Sequence, residues 1–291
     1  MKCRHCSAEV SLPLIDLGAA PPSNAYLRPE QLQAGEVHLP LRVLVCTRCW
    51  LAQTADHARA DALFTPDYAY FSSYSSSWVR HAAAYVERMR ASLGLGAASH
   101  VVEVACNDGY LLRHVRDRGI PCLGIEPTAG TAAAARSLGI EVREAFFGRA
   151  LATELAAEGR SADLMVANNV LAHVPDINDF IAGFAILLKP DGVATFEFPH
   201  LRRLVEGCQF DTVYHEHFSY LSLLAVATMF TANGLEVIAV EELPTHGGSL
   251  RVHAQRGGGP RPVADSVARC LQAERDAGMA RESWYLGLQP A

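Results

Sequence analysis

The chain lacks any apolar run near the roughly 18 residues that a membrane-crossing helix needs. Its longest candidate, residues 221–230, is too short and carries Ser222 and Thr228. No apolar h-region follows the opening Met-Lys-Cys-Arg-His-Cys, so neither a transmembrane helix nor a secretory signal is expected, and the reading is of a cytoplasmic protein. Blocks of basic residues are missing too. With 25 Lys and Arg against 31 Asp and Glu, the net charge is −6, a poor basis for general nucleic-acid binding. No internal repeat is visible. The disorder-prone composition is also absent: half the residues are apolar and 19% are charged. What remains is a globular chain of 291 residues, long enough for about two domains and a sizeable core.

Eight cysteines are present, and four fall in two Cys-x-x-Cys pairs, Cys3/Cys6 and Cys46/Cys49. Disulfides are not expected in a chain without a secretory signal. Two such turns supply a closed tetrahedral set of thiolates, which suits structural zinc. Thiol redox chemistry would need a thioredoxin-like βαβ context, and none surrounds these pairs. The gap between the pairs exceeds that of a short zinc ribbon, so residues 1–56 are expected to form a lobe of their own. His5 is read as a surface residue rather than a ligand. Cys106, Cys122, Cys208 and Cys270 are read as small packing residues.

Residues 57–99 read as a mostly helical connection holding an aromatic and serine-rich stretch. From residue 100 the pattern becomes alternating strands and helices. Strands are expected at 101–105, Cys122–Ile125, 164–167, 193–198, 235–240 and 249–254. Between them fall helices to about residue 118, after 127, over 177–188 and over 221–233, with a turn at 189–192. This alternation predicts an α/β fold with a largely parallel sheet over 100–256. Residues 257–262 read as a linker, and the tail from 263 as helix.

Ligands of such sheets bind beyond the carboxyl ends of the strands. The loop from Glu103 to Gly109 offers Asn107 and Asp108 as hydrogen-bonding groups, with Gly109 for close backbone approach. Glu126 ends the next strand, where a carboxylate can accept from both hydroxyls of a ribose. The G-x-G-x-x-G signature of dinucleotide sites is missing. A ribose-bearing cofactor without phosphate fits better, and S-adenosylmethionine (SAM) is the obvious one.

Seven stretches together carry a family resemblance: the two Cys-x-x-Cys pairs, DYAYFSSYSSSW (67–78), CNDG (106–109), GIEP (124–127), NNVLAHVPD (168–176), FDTVYHEHFSY (210–220) and THGGSLR (245–251). The chain resembles the zinc-containing, SAM-dependent deoxysugar C-methyltransferases, which act on nucleotide-linked 4-keto sugars in antibiotic pathways. The resemblance implies a Rossmann-like methyltransferase domain, with a mostly parallel seven-stranded sheet, behind the zinc lobe. It implies zinc on Cys3, Cys6, Cys46 and Cys49. SAM would meet Glu103, Asn107, Gly109, Glu126 and Asn168. The sugar would face Tyr68, His173, Tyr214, Glu216 and His217, with His217 as the base. Members of the family usually continue into a further C-terminal domain. The expectation here is that this domain is lacking and that 257–291 is a linker with a truncated helix.

Carbon methylation needs a base beside an acidic C–H, a donor for the enolate oxygen and an in-line methyl group. Tyr214-His215-Glu216-His217 offers a phenol, a carboxylate and imidazoles within four residues. In an extended segment His215 and His217 would point one way and Glu216 the other. The same His/Glu cluster also fits a metal site. His246 sits in a glycine-rich turn whose N–H groups could meet a phosphate or sugar. Arg251 could pair with a phosphate or stand as an exposed strand charge. The function expected is methyl transfer to the carbon beside the ketone of a nucleotide sugar, the nucleotide being thymidine diphosphate. An O- or N-methyltransferase on the same fold and a non-catalytic zinc- and SAM-binding protein remain as alternatives.

Overall fold

The computed structural model of the chain describes residues 1–24, 26–55 and 70–288. Behind the first cysteine turn, β1 (Leu12–Ala20), β2 (Leu39–Val45) and β3 (Ala52–Thr54) form an antiparallel meander. Helix α1 (Ser76–Leu93) then crosses to the main sheet. Ser75 caps it by accepting from Trp78 N, and Gly94, at φ 64, ends it in the left-handed conformation that glycine adopts without steric cost. Its buried stripe, Trp78, Ala82, Tyr85, Val86 and Met89, follows the helical period.

The main domain continues through β4 (Val101–Val104), α2 (Leu112–Arg116), β5 (Cys122–Ile125), α3 (Ala129–Ser137), β6 (Glu141–Arg143), α4 (Arg149–Ala157), β7 (Ala162–Asn168), α5 (Ile177–Leu187) and β8 (Leu188–Pro199). After α6 (Leu201–Glu206) and the two-residue β9 (Ser219–Tyr220) come α7 (Leu223–Ala232), β10 (Leu235–Leu243), β11 (Ser249–Arg256), α8 (Asp265–Ala277) and α9 (Glu282–Tyr285). The seven-stranded sheet runs β10-β11-β8-β7-β4-β5-β6. The pairs from β8 to β6 are parallel, and the β10–β11 hairpin adds antiparallel. This is the expected Rossmann-like sheet. Its central strands are buried on both faces, which is why they read as near-continuous apolar runs.

Three expectations are corrected. Residues 189–192 are not a separate turn. They lie inside β8, where Ala162 pairs with Leu188 and Leu164 with Val193, so the extra residues bulge out of the ladder. Strand β6 was not read from the sequence; it is three residues long and has no buried residue to mark it. Residues 257–262 are not a slack linker. Gln255 pins them, its Nε2 donating to Arg261 O at 2.9 Å and its Oε1 accepting from Arg261 N at 2.9 Å.

The tail is likewise docked. Tyr285 and Met279 are fully buried, and the Tyr285 ring stacks on Trp50 at 5.7 Å. Glu274 of α8 reaches the core, accepting from Leu223 N (2.6 Å) and Leu224 N (2.8 Å) at the start of α7 and lying 2.8 Å from His200 Nε2.

The two lobes are joined through backbone. Strand β3 pairs with β9, setting Gln53 against Ser219 and Ala52 against Tyr220. A four-stranded sheet, β1-β2-β3-β9, results. The residues before β9 are the Tyr214–His217 segment, so the cysteine lobe holds that segment in place. Among the described residues, no helix is long and apolar enough to cross a membrane.

Candidate active site and zinc centre

The sulfur atoms of Cys3, Cys6, Cys46 and Cys49 lie within 4.8 Å of one another. Three of the gaps are 3.6 Å (Cys3–Cys49), 3.5 Å (Cys6–Cys46) and 3.8 Å (Cys6–Cys49). A zinc ion with bonds of about 2.3 Å to four thiolates needs sulfur–sulfur edges of about 3.8 Å. The donor set therefore fits zinc and leaves no open coordination position. Gln53 Nε2 donates to Cys3 Sγ at 3.4 Å, and Gln53 Oε1 accepts from Arg4 N at 3.0 Å. The metal knuckle thus connects directly to β3. His5 is more than a surface residue: its Nδ1 is 2.7 Å from Asn178 Oδ1, which docks the first knuckle on α5.

A cleft of about 1060 Å³ opens at the carboxyl ends of β4, β5 and β7 and extends to the cysteine lobe. That is the upper end of ordinary ligand sites, large enough for a nucleoside cofactor and a second molecule. On the sheet side, Glu126 is buried in the cleft wall. Its Oε2 accepts from Asn107 N at 2.9 Å and its Oε1 from Thr128 N at 3.0 Å. Thr128 Oγ1 also donates to Oε1, at 2.5 Å, so of the about four acceptor positions of a carboxylate roughly one stays open for a ribose hydroxyl. Asn168, at the end of β7, also lines the cleft, and neither atom of its buried amide finds a hydrogen-bond partner at good geometry. Acceptors, an amide with capacity to spare and an apolar wall at Phe146 and Phe147 fit the adenosine part of SAM.

Of the other expected cofactor residues, Asn107 reaches the cleft with its side chain engaged, and Gly109 and Glu103 do not line it. Asn107 lines the cleft at φ 51, but its side chain is engaged: Oδ1 accepts from Ser72 N (2.9 Å) and Nδ2 donates to Tyr70 O (3.1 Å). Asp108 accepts from Ser73 N at 3.1 Å. The pair tethers the segment after residue 69 over the cleft. Gly109 lies under the wall. At φ 78 it approaches α3, where a Cβ would come within 2.5 Å of Ile140 Cδ1 and 3.3 Å of Ala135. Its close approach is to a neighbouring helix, not to a ligand. Glu103 is also below the wall, 1% exposed, with its carboxyl pushed well above the usual range by burial.

On the lobe side, Tyr214, Glu216 and His217 face the cleft together with His173 and His246. Tyr68 lies outside the described residues. The strict alternation expected for this segment does not hold. Residues 214–217 make a tight turn closed by His217 N donating to Tyr214 O at 3.0 Å. The turn brings Glu216 and His217 to the same side and sends His215 away. His215 Nε2 instead sits 3.1 and 3.2 Å from the carbonyls of Leu39 and Pro40 in β2. The cluster is not a metal site among the described residues, where the cysteines form the one such group.

His217 Nδ1 is 2.8 Å from the Thr212 carbonyl, which can only accept, so that nitrogen carries the proton. Nε2 therefore accepts, and the Tyr214 hydroxyl donates to it at 2.8 Å. Burial, with His173 beside it, pulls the His217 pKa down to about 3. Burial alone draws His173 down to about 4, and the two rings meet edge-on at 4.7 Å. Both imidazoles are neutral at physiological pH. Burial, with the Glu216 charge nearby, pushes the Tyr214 phenol up. Glu216 Oε1 accepts from Ser23 Oγ at 2.7 Å and from Asn24 Nδ2 at 2.8 Å. These two lobe residues were missed because nothing local in Pro21-Pro22-Ser23-Asn24 marks a site 193 residues from its partner.

His246, at φ 50, sets its ring edge-on to Trp78 at 5.2 Å. Arg251 is neither an exposed charge nor a wall of the cleft. It is 1% exposed; its guanidinium donates to Glu197 Oε2 at 2.5 Å and lies 4.7 Å over the Tyr85 ring. It is committed to a buried ion pair between β11 and β8.

The fold and the paired sites define a methyltransferase with an appended metal lobe. Residues 3–64 match the family described as "Putative zinc binding domain", residues 77–240 "Methyltransferase domain" and residues 244–291 "C-methyltransferase C-terminal domain". The chain is 35% identical over 284 residues to C-methyltransferase NovU of Streptomyces niveus, covering 98% of this chain and 67% of NovU. A 118-residue stretch is 29% identical to the ubiquinone biosynthesis O-methyltransferase of Rhodopseudomonas palustris (strain TIE-1), covering 40% of this chain and 47% of that protein. Among solved structures, the PH0226 protein of Pyrococcus horikoshii OT3 superimposes with a TM-score of 0.50 at 13% identity, over 64% of this chain and 94% of that one. The chain belongs to the zinc-binding C-methyltransferase family. It is a SAM-dependent C-methyltransferase with a four-cysteine zinc centre. The expected lack of the family's C-terminal domain is overturned by the match over 244–291. What read as a stump is docked helix, fastened by buried Glu274.

Proposed function

We propose that the enzyme methylates the carbon next to the ketone of a nucleotide-linked 4-keto deoxysugar, the nucleotide being thymidine diphosphate, in antibiotic deoxysugar biosynthesis. The observation that carries this reading is a neutral imidazole whose acceptor nitrogen is fixed toward a phenol inside a buried cleft. A carbon acid cannot attack a methyl group until such a base has taken its proton.

In this reading Nε2 of His217 removes the proton. The C–H electron pair becomes the carbon–carbon double bond of the enolate, and the carbonyl pair moves onto oxygen. Tyr214, released from His217 as the sugar enters, turns its O–H to that oxygen and stabilises the developing charge. His173 lies close enough to His217 to serve the same oxygen, and Tyr68 belongs to the same set by family likeness. Glu216 holds a sugar hydroxyl, and His246 closes the cleft against Trp78. Glu126 and Asn168, with Asn107 beside them in the cleft, would hold SAM, and the four cysteines would hold Zn²⁺ as a structural ion. SAM, when bound, supplies an electrophilic methyl group and keeps the sulfur–carbon bond pair on leaving. The enolate carbon gains the methyl group, and His217 passes its proton to water.

The test is turnover in D₂O with a panel of 4-keto deoxysugar nucleotides. Deuterium exchange at the carbon beside the ketone, followed by methylation there, is expected. Methylation on oxygen or nitrogen without exchange would assign the enzyme to another methyl acceptor. A SAM-competent protein that leaves every such sugar unchanged would falsify the substrate class.

A further inference from the structure

The loop between β1 and β2 reaches the cleft at Ser23 and Asn24, and both line it. Both donate to one atom, Oε1 of Glu216, at 2.7 and 2.8 Å. The approach is stiffened by Pro21 and Pro22, whose rings fix φ. Asn24 sits at φ 58, a conformation asparagine tolerates better than most side chains. Glu216 is 1% exposed, so protein groups rather than bulk water set its position.

We propose that Ser23 and Asn24 are positioning residues that clamp Glu216 in a single orientation toward the substrate. The inference rests on the reading that Glu216 contacts the sugar. Its two donors come from the zinc lobe, so the carboxylate is aimed only when that lobe is docked. Two neutral donors stabilise the charged carboxylate without cancelling its charge, which leaves it able to accept from a hydroxyl. Among the described residues, the titratable groups lining the cleft around it include Tyr214 and His217 on its own segment, Asp211 just before it, His173 from the loop after β7, and His246 and Tyr70.

The substitutions Ser23→Ala, Asn24→Gly and Asn24→Asp test the clamp in the full zinc-loaded chain. Gly at 24 preserves the left-handed backbone and removes only the amide. If asparagine is there for its backbone alone, N24G is silent. The clamp predicts a roughly 10- to 100-fold fall in kcat/KM for S23A and N24G, as expected for a misaimed contact. N24D replaces a donor with a second carboxylate beside the first, so its loss is larger. A readout independent of substrate is the ¹³C carboxyl resonance of Glu216, assigned by its disappearance in E216Q. Its chemical shift moves in S23A and N24G as donors to the carboxylate are lost, while zinc content and S-adenosylhomocysteine binding stay as in the parent. An unmoved resonance with unchanged kcat/KM in S23A and N24G overturns the clamp. A shifted resonance in a protein that methylates no 4-keto sugar upholds the clamp and overturns the substrate reading instead.

Discussion

The two halves of the cleft are built on different plans. The half that fits SAM comes from loops after neighbouring parallel strands, and Glu126 finds its partners at Asn107 and Thr128, 19 and 2 residues away. The half that carries His217 is assembled across the molecule, with Glu216 held by residues 192 and 193 positions earlier and β9 paired to β3. The first half inherits its geometry from a buried sheet. The second borrows its geometry from a metal-stapled lobe. Damage to the lobe should therefore disable chemistry while sparing the cofactor, and damage at the strand ends should do the reverse.

The largest expected effect comes from zinc. Structural zinc contributes on the order of 10 kcal/mol to the folding of small metal-dependent modules. Chelation, or Cys46→Ser, should release β3 and with it the segment ending in β9. Methyl transfer should vanish, while S-adenosylhomocysteine binding by calorimetry should persist within a few-fold. The cysteines do share an apolar cluster with residues of β7, β8, α5 and α7. Loss of S-adenosylhomocysteine binding together with turnover would show that the halves fold as one unit and break the comparison.

Next is His217→Gln, which keeps hydrogen-bonding capacity but removes the base. Removal of a general base costs roughly 10²- to 10⁴-fold. The fall should appear both in kcat and in the rate of deuterium exchange beside the ketone, with cofactor affinity unchanged. Full exchange in the variant would move the base to another residue of the cleft.

Glu126→Ala probes the opposite half. Loss of an acceptor for a ribose hydroxyl should weaken SAM by roughly 10-fold, the size of one charge-assisted hydrogen bond. KM for the sugar nucleotide should not move. A change in the sugar KM alone would show that Glu126 serves the wrong half.

The two plans also decide what the sequence revealed. Strand ends and their loops are local, so Glu126 was readable from periodicity and the rule that ligands meet carboxyl ends, whereas Asn168 came only with the family resemblance. The Cys-x-x-Cys pairs were readable because metal geometry restricts spacing. Gly109 was placed in the right loop with the wrong neighbour, since a positive-φ glycine signals close approach without saying to what. Ser23 and Asn24 were invisible because only the tertiary pairing of β3 with β9 brings them to Glu216. His215 and Arg251 were misdirected for one reason: polar residue type signals a site as readily as it signals a buried staple. The docked tail was misread because Glu274 reads as one more charge on an amphipathic helix until its partners, Leu223, Leu224 and His200, are in place.

The smallest effect is a pH dependence of stability to which the His217 half contributes through two buried rings. The native pKa values of His217 and His173 lie at about 3 and about 4, below the unfolded value near 6.5, because burial penalises the charged rings. Between those limits the unfolded chain binds protons that the folded chain does not. Stability is then fully present above about pH 6.5 and falls as the pH drops toward the native values. Each ring withdraws about 1.4 kcal/mol per pH unit within that window. Denaturant melts from pH 7.5 to 5 should show the decline, and His173→Gln should make it shallower by one ring's share, with His100, His114 and His246, also lowered by burial, contributing to what remains. Cofactor binding should stay level over the same range while the protein remains folded, because neither His217 nor His173 belongs to the half that fits SAM. Melts as steep in the variant as in the parent would assign the proton uptake to other groups, and a parallel loss of S-adenosylhomocysteine affinity in folded protein would show the two halves titrating together.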